Sequence, residues 1–160
     1  MSTPTSPGSG APTDDLGRAL RLVSLAMLGG VAIIAAITVA TIGDSPGSGV
    51  DAFGAIVVSV VFVAAAFLIP RRMIKPWPPG SAPDPTKAAG QLRSAAFLSL
   101  VLAELPTLIG LVNSFARGVW LPVVIGALFS VAGLLLTAPT ADRLRGWLAR
   151  LESAGARTGL

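Results

Sequence analysis

The sequence predicts an all-α membrane protein: four transmembrane helices in two hairpins, followed by an amphipathic surface helix at the C-terminus. Three observations lead there. Of the 160 residues, 52% are hydrophobic and only 12% are charged, about half the roughly 25% charge of a water-facing globular domain. Four long stretches are nearly free of charge, and each is close to the about 20 residues that cross a bilayer. Eleven of the twelve Lys and Arg residues lie at the ends of those stretches that share one side, the asymmetry that orients membrane proteins.

Residues 1–16 are mostly Ser, Thr, Pro and Gly and have no apolar periodicity. They are expected to form a disordered tail. Residues 17–139 form the expected four-helix transmembrane domain. Its first span, 22–43, follows Arg18 and Arg21 and is uncharged throughout. A short Asp44-Ser-Pro-Gly-Ser-Gly turn leads to the second span, 52–70, which is expected to stop at Pro70-Arg71-Arg72.

A cytoplasmic loop is expected over 71–93. Five of its residues are proline, so an extended chain is predicted, with Trp77 at the headgroup level. The third span, 94–116, carries the only acid inside a span, Glu104. The fourth, 118–138, follows Arg117 so closely that spans three and four make a tight hairpin. Residues 140–160 form the last segment. Leu144, Trp147, Leu148 and Leu151 recur at helical spacing with Arg143, Arg145 and Arg150 beside them. The pattern predicts a helix lying on the membrane surface through Arg143, Arg145, Trp147 and Arg150, its first turn capped by Thr140.

The charge split places both termini and the central loop in the cytoplasm. Arginine outnumbers lysine ten to two in a chain rich in Ala, Gly, Val and Pro, a bias that suits a high-GC bacterial genome. The expected location is the bacterial cytoplasmic (inner) membrane, as a multi-pass protein. The basic end suits anionic lipids in that leaflet. Nucleic acid is not an expected partner, because the basic residues cluster at span ends.

The chain contains no cysteine, histidine or tyrosine. That removes thiolate and imidazole metal ligands, axial haem histidines and the usual general base. No catalytic residue, metal site or cofactor is expected, and the chain is not expected to be an enzyme. Chemistry would have to centre on Glu104, about 15 Å into its span at 1.5 Å per residue. An intramembrane acid is expensive and faces protein or water rather than lipid. Thr107 and Ser114 share its side of an ideal helix, so these three residues form the candidate intramembrane polar site. Pro106 is expected to kink the helix. Ala32, Ala36 and Ala40 on span one, and Gly126, Ser130 and Gly133 on span four, have the small-residue spacing that lets helices approach closely.

The stretch LAELPTLIGLVNSF, residues 102–115, resembles the carboxylate-bearing helix of the proteolipid c subunit of rotary ATP synthases. Glu104 sits where the proton-carrying acid would be, and Gly110-Leu111-Val112 follows in a similar way. Arg93, Ala103, Glu104, Pro106, Gly110, Leu111 and Val112 also resemble the third span of uncharacterised four-helix bacterial inner-membrane proteins. In size and plan the chain is similar to small accessory subunits of Mce-type lipid-import complexes. The missing catalytic residue types, the small size and the small-residue helix faces lead to the expectation of a non-catalytic accessory or assembly subunit. It would pack against a larger membrane complex, with an envelope lipid-transport system as one such assembly. Proton or cation conduction by an oligomer around Glu104, and lipid binding, are the alternative readings.

Overall fold

The computed structural model describes residues 12–158 and is helical throughout, with α1 at Pro12–Ile42, α2 at Gly49–Met73, α3 at Pro85–Arg117, α4 at Leu121–Thr137 and α5 at Ala141–Glu152. The expected tail therefore divides: residues 12–16 belong to α1, and 1–11 lie outside the described residues. Gly17–Ile42 of α1, all of α2 and all of α3 are long and apolar enough to cross a membrane. The 17 residues of α4 reach about 26 Å, at the lower limit for a span. Together with Asp142–Glu152, bent 60° away, α4 passes as a fourth.

Local chemistry sets the helix boundaries. Gly43, at φ 78°, follows α1 in the left-handed conformation that suits glycine. The Ser48 hydroxyl accepts the Asp51 N–H, and the Asp51 carboxylate accepts the Ser48 N–H at 2.8 Å, a reciprocal cap at the start of α2. Asp84 caps α3 through the Lys87 N–H at 2.9 Å, and Pro85 occupies a first-turn position where a missing N–H costs nothing. Gly118, at φ 64°, ends α3. Thr140 accepts the Arg143 N–H at the start of α5.

These caps correct the expected loop. The Pro-rich connection shrinks from 71–93 to residues 74–84, because α2 continues through Pro70 to Met73 and α3 begins at Pro85. Pro70 is tolerated inside α2 for a specific reason. Its ring nitrogen cannot donate to the carbonyl of Ala66, four residues back. The Ser99 hydroxyl of α3 donates to that carbonyl instead, at 2.7 Å and fully buried.

The helices α3 and α4 form the centre, and α1 and α2 each pack on both of them. The first two spans were expected to form a hairpin of their own. They instead flank the α3/α4 pair, with no comparable contact between them. Glycine and serine line the α3/α4 contact, so their backbones approach most closely. The central cluster takes Val31 from α1, Ala66 from α2, Leu100 and Ala103 from α3, and Ala127 and Leu134 from α4.

At one end the two short turns join. The Trp120 N–H donates to Ser45 O at 3.1 Å and the Leu121 N–H to Pro46 O at 3.2 Å, and Arg117 pairs with Asp51. The cap at Ser48 places Asp51 within reach of Arg117. At the opposite end, where eleven basic residues gather, a second cluster forms around Leu20, Ile74, Trp77, Leu92, Trp147 and Leu151. Trp77 packs inside the protein: it is 7% exposed, its indole N–H donates to Gln91 Oε1 at 2.9 Å, and its backbone N–H donates to Leu151 O at 2.9 Å.

Candidate functional site

The three residues expected to form one polar site separate. Thr107 and Ser114 are fully buried and turn toward α4. Glu104 is half-buried and shares the outward stripe of α3 with Phe97, Leu108 and Phe115, all exposed. On a helix at 100° per residue, Glu104 lies between the buried and lipid-facing sides, so a few tens of degrees decide its neighbours. Its carboxylate makes no hydrogen bond or ion pair with any other described residue. Only its backbone carbonyl is engaged, accepting from Ser130 at 3.2 Å.

The α3/α4 contact has an internal symmetry. Residues 106–114 read PTLIGLVNS and residues 122–130 read PVVIGALFS, so proline, isoleucine, glycine and serine recur at matching positions. The two copies face each other reciprocally, as an isologous contact requires. The Thr107 N–H, one residue after Pro106, donates to Ser130 Oγ at 3.1 Å. The Val123 N–H, one residue after Pro122, donates to Ser114 Oγ at 3.0 Å. A Cβ at Gly110 would lie 2.9 Å from Val123 Cα, and one at Gly126 would lie 2.8 Å from the Pro106 carbonyl carbon. Neither glycine can carry a side chain while the helices stay this close.

Each serine fills a local need. Ser114 supplies an acceptor to the first turn of α4, whose Trp120 makes no side-chain cap. Ser130 sits where Pro106 interrupts α3, accepting from Thr107 and donating to Glu104 O. The Thr107 hydroxyl is buried without a partner among the described residues.

The expected packing faces divide. Gly126, Ser130 and Gly133 are buried against α3, with Ala103 Cβ 3.2 Å from a Cβ built on Gly133. Ala32, Ala36 and Ala40 lie on the exposed side of α1. In α5, Leu144, Trp147 and Leu151 are buried within the protein. The expected set of surface residues therefore loses Trp147, which the basic-end cluster takes up. Arg143 turns back to the carbonyls of Leu136 and Ala138, Arg145 pairs with Asp142 at 3.0 Å, and Arg150 is exposed.

The repeated P-x-x-I-G-x-x-x-S motif could have been found in the sequence by its period of 16 residues. Only four of the nine residues repeat, and the relation is plain only once each serine is seen to accept from the facing helix. No protein-family model, curated protein or solved structure matches the chain.

Proposed function

We propose that this protein is a non-catalytic subunit of a larger membrane assembly, crossing the bacterial inner membrane four times with both termini in the cytoplasm. The orientation rests on charge: eleven of twelve basic residues share one end. The reading of α4 as a span of its own rests on the same end. The contacts of α5 with Trp77, Leu92 and Leu20 keep the C-terminal segment beside the start of α1.

One observation carries the subunit reading: the half-buried, unpartnered carboxylate of Glu104 on an otherwise apolar outward stripe. An ionisable group inside a membrane faces a partner or water, and this chain offers it no partner among the described residues. A neighbouring protein would supply the donor. The exposed Ala32/Ala36/Ala40 ridge gives a second smooth face for helix contact. Proton conduction is the competing reading; Glu104 is the only acid on the outward stripe of α3.

A photo-crosslinking residue at Leu108, one turn from Glu104, tests the reading in native membranes. A stoichiometric adduct with a different membrane protein is expected. Adducts with lipid alone, or with a second copy of this chain alone, overturn it, and the second outcome favours the conducting oligomer.

A further inference from the structure

Between α2 and α4 runs an apolar groove of about 390 Å³, lined by Val60, Val63, Ala64, Phe67, Phe129 and Leu136. Both walls end in arginine at the basic end of the molecule. On the α2 wall, the Arg71 guanidinium lies 3.7 Å from the centroid of the Phe67 ring, folded onto the residue that lines the groove. On the α4 wall, Arg143 reaches back from α5 and donates to the carbonyls of Leu136 and Ala138, the latter at 3.3 Å.

No carboxylate neutralises either arginine among the described residues: the ion pairs there are Arg117 with Asp51 and Arg145 with Asp142. Partial burial first, and the nearby charge of Arg71 second, disfavour the cationic form of Arg143. Two close guanidiniums without an acid repel each other, and an anion between them would relieve that repulsion. A guanidinium has five N–H donors, so Arg143 keeps donors beyond those bound to its own backbone.

We propose that the α2/α4 groove binds one anionic phospholipid, its phosphate between Arg71 and Arg143 and an acyl chain along Ala64 and Phe129. Basic pockets between helices at the cytoplasmic face hold anionic headgroups in this way. A membrane lipid is the occupant, rather than a free anion, because the charged mouth opens directly onto an apolar channel facing the bilayer. This site is independent of Glu104 and of any partner protein.

Native mass spectrometry of the full chain in mild detergent tests it, with equal amounts of phosphatidylglycerol and phosphatidylcholine. The wild type is expected to retain phosphatidylglycerol preferentially. Each of Arg71→Gln and Arg143→Gln is expected to lower that retention about fivefold, and the double variant about thirtyfold. Arg18→Gln, which removes an exposed charge near the start of α1, is expected to leave it unchanged. Ala64→Phe fills the groove with both arginines intact and is expected to lower retention as well. Because it leaves the α4–α5 corner untouched, it keeps the test decisive if the Arg143 variant misfolds. Equal retention of both lipids by the wild type overturns the proposal. So does a preference that survives the double variant or Ala64→Phe, or displacement of the lipid by millimolar inorganic phosphate.

Discussion

Ser99 of α3 donates its hydroxyl to the carbonyl of Ala66 on α2 at 2.7 Å, the carbonyl that Pro70 leaves without a helical donor. The pair links two helices by repairing one of them. Ser99→Ala leaves that buried oxygen unsatisfied and is expected to destabilise the protein by about 1–2 kcal/mol. Pro70→Ala restores the N–H within α2. In that background Ser99→Ala is expected to cost less than about 0.5 kcal/mol. A double-mutant cycle of unfolding in bicelles measures the coupling.

The glycines of the α3/α4 contact grade by what a methyl group would meet. Gly126→Ala drives a Cβ into the Pro106 carbonyl, and Gly110→Ala drives one into the backbone at Pro122 and Val123. Each is expected to cost about 2–3 kcal/mol. Gly133→Ala meets Ala103 Cβ at 3.2 Å and Val63 Cγ2 at 3.3 Å, milder overlaps than the backbone clashes at Gly110 and Gly126, so its loss is smaller. Gly54 has nothing within 4 Å, and Gly54→Ala is expected to be neutral or stabilising by about 0.5–1 kcal/mol through helix propensity. Thermal unfolding in detergent gives the order.

On the proposed reading, Glu104 faces a partner protein. Glu104→Leu is expected to keep the fold and to raise the stability of the isolated protein by about 1 kcal/mol, because it removes a costly acid from an outward stripe. It is also expected to abolish co-purification of the partner from native membranes. A variant that unfolds while the wild type is stable would place Glu104 in the protein's own packing.

The apolar face of α5 belongs to the fold. Leu151 is fully buried, so Leu151→Ala is expected to destabilise the detergent-solubilised protein by about 2–5 kcal/mol. Trp77 fluorescence should shift at the same time, because the Leu151 carbonyl holds the Trp77 N–H. A helix that merely lay on lipid would show neither effect in detergent.

The greasy stretches were legible because a span needs only length and the near-absence of charge, and 22–43 and 52–70 meet both conditions plainly. The cap at Thr140 rests on short-range chemistry and marks the start of α5. Pro70 and Pro85 misled the loop boundaries, since a proline inside a helix is tolerated when a distant serine repairs the gap, and sequence spacing does not reveal Ser99 as that serine. The Glu104 site was misjudged for a related reason. An ideal helical wheel groups Glu104 with Thr107 and Ser114, but the α4 contact falls on one side of that group and leaves the acid at its edge. Trp147 has the periodicity of a surface helix, and only the arrival of α1, α3 and the 74–84 loop at the same end shows what covers it.

The chain has no cysteine, so single introduced cysteines report topology without background. Ser45→Cys and Ala116→Cys lie at the turn end, and Ser81→Cys and Ser153→Cys at the basic end. In intact cells, after passage through the outer envelope, a membrane-impermeant maleimide is expected to label the first pair and to reach the second pair only after lysis. Labelling of Ser153→Cys from outside, with Ser81→Cys protected, would mean that α4 does not cross on its own and would contradict the four-span account.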